Sequence, residues 1–111
     1  MIRVGRAIDS LRALIDEGAE PFDLVFIDAD KQSGADYFAA AMQLTHPGSV
    51  IIVDNVVRHG DIVNESSTDA ATLGTRRLHE KMAAEPRVSV TAVQTVGLKG
   101  HDGFSLALVT G

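Results

Sequence analysis

The strongest constraint on this chain is an uninterrupted apolar run, Leu24-Val25-Phe26-Ile27, that stops abruptly at Asp28-Ala29-Asp30-Lys31. Pro21 and Asp23 bound it on the other side. A short continuous run of strand formers between such boundaries reads as a strand buried on both faces. Strands of that kind belong to open α/β sheets, which take ligands just beyond the carboxyl ends of their strands. A second run, Ser49-Val50-Ile51-Ile52-Val53, ends in the same manner, at Asp54-Asn55. The expected fold class is therefore α/β, with its chemistry at two neighbouring strand ends.

The rest of the chain fits that frame. Met1 to Val4 reads as a short strand and Gly5 as a turn. Ile8, Leu11, Leu14 and Ile15 follow at helical spacing, with Gly18 as the stop. Ala35 to Leu44 reads as a helix with Tyr37, Phe38, Ala41 and Met42 on one side, broken by Pro47-Gly48. Arg58 to Ser67 is polar and reads as a loop, and Ser67 or Thr68 caps a helix with Ala71, Thr75, Leu78 and Met82 as its apolar stripe. Val88 to Val93 and Phe104 to Leu108 alternate, which predicts an antiparallel hairpin around a long turn from Gly97 to Gly103. His46 and His101 are expected in loops and His79 on a helix surface. No repeat or linker divides the chain, so residues 1–111 are expected to be a single unit.

Two parallel strands joined by one right-handed crossover bring Asp28 and Asp54-Asn55 to one edge, with about 4.8 Å between strands. Two carboxylates and an amide oxygen at that spacing form a hard oxygen site suited to Mg²⁺, Ca²⁺ or Mn²⁺. Either aspartate alone is more simply a cap for the segment that follows; the pair favours a site. Lys31 stands three residues beyond Asp28. A lysine beside a dication loses its proton more readily and then serves as a base; the simpler reading is a solvated lysine at a helix entry.

Composition bounds the function. A formal net charge of -5 argues against a nucleic-acid or anionic-membrane binder. No apolar run approaches the roughly 20 residues that span a bilayer, and Met1-Ile2-Arg3-Val4-Gly5 does not open a signal peptide. Cys is absent, which excludes disulfides and thiolate metal sites and fits a cytoplasmic protein.

Together these residues resemble a known family. Phe22-Asp-Leu-Val-Phe-Ile-Asp-Ala-Asp-Lys31, Tyr37, Pro47-Gly48, Asp54-Asn55-Val56, Gly60, Arg76, Pro86-Arg87-Val88 and Asp102-Gly103-Phe104 are similar to motifs of the metal-dependent O-methyltransferases of the catechol and caffeoyl-CoA type. The resemblance implies the C-terminal half of a Rossmann-like methyltransferase sheet, mostly parallel with a terminal antiparallel hairpin. It implies S-adenosylmethionine and a divalent metal as cofactors and a catechol-like vicinal diol as acceptor. It makes Asp28, Asp54 and Asn55 the metal ligands and Lys31 the catalytic base. Gly5, Ala7, Asp28, Asp30 and Tyr37 would bind the cofactor, and Arg58 and His59 would line the substrate mouth. The family's full domain has about twice this length, and its glycine-rich turn and ribose-holding acidic residue have no counterpart here. The implied partner is a second copy in a dimer or the missing N-terminal half, and the isolated chain is expected to transfer methyl groups weakly or not at all. Two other classes remain. A non-catalytic binding or oligomerisation half-domain fits the missing half. A phosphoacceptor receiver domain fits Asp28 but lacks an acidic pair after the first strand.

Overall fold

The computed structural model describes residues 5–28, 30–54, 70–97 and 100–111. Helix α1 spans Ala7–Asp16, strand β1 Phe22–Ile27, helix α2 Gly34–Gln43 and strand β2 Thr45–Asp54. Helix α3 follows at Ala70–Ala84, then strands β3 at Val88–Gly97 and β4 at Gly100–Val109. The expected first strand and the polar loop lie outside the described residues, as do Ser67 and Thr68, either of which was expected as the helix cap.

Local chemistry accounts for the element boundaries. Helix α1 ends in a Schellman motif: the Gly18 N–H donates to Ile15 O at 3.1 Å and the Ala19 N–H to Leu14 O at 3.2 Å. Gly18 sits at φ 69°, the left-handed conformation that this motif needs and that glycine adopts without strain. Helix α2 closes on Ala41 O, which accepts from the Leu44 N–H at 3.0 Å and from Thr45 Oγ1 at 2.9 Å.

Pro47-Gly48 does not break the chain between helix and strand as expected. It forms an outward bulge inside β2. The register passes from Phe22↔Thr45 to Leu24↔Val50, two steps on β1 against five on β2. Ser49 closes the bulge: its hydroxyl donates to Phe22 O at 2.8 Å and accepts the His46 N–H at 3.0 Å. His46 is therefore a strand residue rather than a loop residue.

The sheet has four strands in the order β1-β2-β4-β3. β1 and β2 are parallel, with Val25↔Ile51 and Ile27↔Val53, so the crossover through α2 brings the two strand ends together as expected. β3 and β4 form the antiparallel hairpin, paired all the way to Gly97↔Gly100, and β4 inserts beside β2. The turn is thus much shorter than the stretch from Gly97 to Gly103 predicts. The alternating signal fades near Gly97 because glycine and polar residues mask a ladder that backbone bonds maintain. Beyond α3, Arg87 forks onto Glu85 through Nε at 2.7 Å and Nη2 at 3.0 Å, and this holds the Glu85 carboxyl down at about 2.

All three helices share one core with one face of the sheet. Phe38, Ala41 and Met42 of α2 and Leu78 and Met82 of α3 pack on Ile27, Ile51, Val53, Ala107 and Val109, while Ile8 and Leu11 of α1 close the margin. Each of the larger side chains in this set (Phe, Met, Leu, Ile and Val) contributes about 1.5–3 kcal/mol on burial. The expectation that β1 is buried on both faces fails. Val25 and Ile27 face the helices, but Leu24 is 60% exposed and Phe26 57% exposed. The residues are those of a doubly covered strand; the covering layer on the second face is not among the described elements.

Candidate active site at the ends of β1 and β2

Asp28 is the first residue past β1 and Asp54 the last of β2. The parallel register ends at Ile27↔Val53, so the two aspartates occupy the next position on adjacent strands. Asp28 is exposed and Asp54 half-buried. This is the juxtaposition the sequence predicts. Asn55, Arg58 and His59 lie outside the described residues. Among the described residues, no group of three or more His, Cys, Asp or Glu side chains is placed to hold a metal ion. The described donor set contains two such residues, Asp28 and Asp54, and their hard carboxylate oxygens suit a divalent cation of the Mg²⁺ kind.

Past Asp28 the chain turns sharply. Asp30 accepts the Ser33 N–H on Oδ2 at 3.2 Å, capping the 3-10 turn at Lys31–Ser33 that leads into α2. Lys31 therefore stands at the start of that turn, on the same sheet edge as Asp28. The Tyr37 hydroxyl, one helical turn into α2, donates to Asp30 Oδ1. That bond, with help from Ser33, holds the Asp30 carboxyl below its usual range. The same bond raises Tyr37 above 10.0, because ionising the phenol would set two anions against each other. Asp30 and Tyr37 are thus a fixed pair at the mouth of the site. Ser33 is a participant that the sequence reading missed; its backbone N–H three residues beyond Asp30 fits the N-cap pattern of an aspartate at a helix entry.

A cleft of about 360 Å³ opens between α1, β1 and α2. Its lining includes Gly5, Ala7 and Leu11 on one side and Phe26, Asp28 and Tyr37 on the other. Gly5 has φ 129°, where a side chain is strained, so the backbone at the lip stays bare. A second hollow of similar size shares Ala7 and Tyr37 with it and has Arg6, Asp30 and Ser33 on its walls. Gly5, Ala7, Asp28 and Tyr37 thus line the first hollow, with Phe26, and Ala7, Asp30 and Tyr37 the second, with Arg6. A larger hollow of about 430 Å³ lies elsewhere, between α3 and β3. There His79 Nε2 meets the fully buried Ser105 hydroxyl at 2.8 Å. His79 is consequently not a surface residue: it turns into the protein, and burial pushes its imidazole below 6.5.

This geometry can be set beside known proteins. The model of the O-methyltransferase family matches residues 1–109. A catechol O-methyltransferase of Niastella koreensis is 47% identical over 108 residues, which span 97% of this chain and 49% of that protein. One from Mycobacterium tuberculosis is 50% identical over 106 residues, 96% of this chain and 46% of its own. Among solved structures, an O-methyltransferase of Bacillus cereus in complex with SAH superposes with a TM-score of 0.94 at 55% identity, covering 97% of this chain and 49% of that one. An O-methyltransferase of Streptomyces achromogenes involved in tomaymycin synthesis, in complex with SAM, gives 0.91 at 50% identity, covering 97% of this chain and 48% of that one. The chain spans about half the length of the relatives it matches. With the family model matched over residues 1–109 and about half of the relatives' fold superposing closely on this chain, it belongs to the O-methyltransferase family.

Proposed function

We propose that this chain provides the metal- and acceptor-binding half of an S-adenosylmethionine-dependent O-methyltransferase acting on a catechol-like vicinal diol. The observation that carries the reading is the placement of Asp28 and Asp54 on adjacent parallel strand ends, beside a cleft braced by Asp30 and Tyr37. Relatives with SAM or SAH bound support the choice of cofactor.

Each residue has a role. Asp28, Asp54 and Asn55 hold a divalent cation, and Arg58 and His59 border the acceptor. Gly5 and Ala7 lie against the cofactor's adenine; Asp28, Asp30 and Tyr37 hold its polar end, where a carboxylate that stays ionised suits an ammonium group. Lys31 takes the proton from the acceptor hydroxyl that becomes the nucleophile. A divalent cation held by Asp28, Asp54 and Asn55 would supply Lewis acidity that lowers the pKa of that hydroxyl. With only half the relatives' length present, cofactor contacts are incomplete, so the isolated chain methylates weakly.

Calorimetric titration with Mn²⁺ tests the reading. The protein binds one equivalent, Asp54→Ala abolishes the heat, and Glu80→Gln on α3 leaves it unchanged. An absence of binding in the unsubstituted protein, or binding that survives Asp54→Ala, removes the metal role.

A further inference from the structure

The hollow between α3 and β3 shares no lining residue with the two beside the strand ends. Its volume of about 430 Å³ falls among those of small-molecule pockets, roughly 300–1,000 Å³. Its walls are mostly apolar: Met82 from α3, and Val88, Val90 and Ala92, which alternate along β3 and so share one face of that strand. Met82 is buried, whereas Val90 is 37% exposed and Ala92 is exposed, so the hollow is closed at the helix and open along the strand. Its polar side chains are a linked pair, the half-buried His79 and the fully buried Ser105.

That pair fixes where the imidazole carries its proton. Ser105 is 0% exposed, so water does not take its hydroxyl proton. A buried hydroxyl without an acceptor is costly, and among the described residues the acceptor within reach is His79 Nε2, at 2.8 Å. Burial keeps the imidazole neutral at pH 7. A neutral ring that accepts at Nε2 carries its proton on Nδ1, and among the described residues Nδ1 has no partner. What His79 offers a molecule in the hollow is therefore one N–H donor on an otherwise apolar wall.

We propose that this hollow is a second small-molecule site, for a neutral, mostly apolar molecule ending in a carbonyl oxygen, with His79 Nδ1–H as the donor to that oxygen and Val88, Val90 and Ala92 against its body. A hydrocarbon leaves the donor unpaired, and an ammonium group sets donor against donor. A carboxylate suits the site less, because it favours the imidazolium, whose Nε2–H removes the acceptor that Ser105 needs.

The test is an NMR titration of the 111-residue protein with benzylacetone and, separately, with butylbenzene, which has a similar shape and no carbonyl. The Met82 ε-methyl and His79 ring resonances report. Benzylacetone is expected to shift both saturably, and butylbenzene to bind about five- to tenfold more weakly, the loss of one hydrogen bond. His79→Phe combined with Ser105→Ala removes the donor without stranding a buried hydroxyl, and the preference for the ketone disappears. Val90→Trp fills the open side and abolishes binding of both probes. Saturating SAH leaves the shifts in place. The absence of a saturable shift at Met82, equal affinities for the two probes, a ketone preference that survives the double variant, binding that survives Val90→Trp, or displacement by SAH overturns the proposal. The two probes are compared on the unsubstituted protein, so that comparison decides even where a variant fails to fold.

Discussion

His46 and His79 show how the same residue type is driven in opposite directions by its surroundings. Both ring nitrogens of His46 face acceptors: Nε2 lies 2.6 Å from Asp23 Oδ1 and Nδ1 lies 2.8 Å from Pro47 O. Only the imidazolium donates to both, so its pKa rises, chiefly through Asp23. His79 sits half-buried against Ser105, where burial disfavours the charge. NMR titration is expected to place the His46 midpoint above 6.5 and the His79 midpoint below it; the reverse order refutes both assignments. The signs for stability follow. His46 contributes fully below pH 6.5, and its contribution is lost as pH rises through its folded pKa. His79 costs stability as pH falls from 6.5 toward its folded pKa. His46→Ala therefore steepens the loss of stability on acidification, measured as unfolding midpoints between pH 5.5 and 8. At the site, Tyr37→Phe removes the main donor to Asp30. Its carboxyl is expected to titrate closer to 3.8, and stability to fall by about 0.5–1.5 kcal/mol, the net range of one hydrogen bond.

The elements are held by a few contacts that single substitutions interrogate. Gly18→Ala forces a side chain into the left-handed conformation at the end of α1. It is expected to cost about 1–2 kcal/mol in urea unfolding, and Gly18→Asn less, since asparagine tolerates that conformation. Helices α2 and α3 meet where Gly34 lies against Leu78: a Cβ on Gly34 would stand 3.4 Å from Leu78 Cδ2. Leu78 is 1% exposed. Leu78→Ala opens a cavity at that crossing and is expected to cost about 2–5 kcal/mol. A loss below 1 kcal/mol would mean the two helices repack. These elements were legible in the sequence because their signals are local: helical spacing in Ile8, Leu11 and Leu14, and Gly18 at the stop. The bulge at Pro47-Gly48 was not. It is stabilised by Ser49 reaching across to Phe22 O, a partner 27 residues away.

At the scale of the whole molecule, the described sheet has one face covered by helices and one on which Leu24, Phe26 and Leu108 are exposed. No helix among the described residues is long and apolar enough to cross a membrane. Ligand linkage gives the whole-molecule prediction. SAH at a hundredfold excess over its dissociation constant is expected to stabilise the protein by about 2.7 kcal/mol, read as a rise in the thermal midpoint. No shift at saturating SAH would remove the cofactor role from the cleft between α1, β1 and α2.

What the sequence determined by itself is the α/β class, the order of elements and the two strand ends that carry Asp28 and Asp54. Apolar runs, helical spacing and glycine stops are properties of neighbouring residues, and they survive without knowledge of what packs on what. The tertiary structure decided the rest. It set Tyr37 on Asp30 and turned His79 inward to Ser105. It also inserted β4 between β2 and β3 and left Leu24 and Phe26 open. Whether an apolar residue is buried depends on a second surface arriving to cover it. The run from Leu24 to Ile27 records that it needs such a surface on both sides, and the described fold supplies it on one.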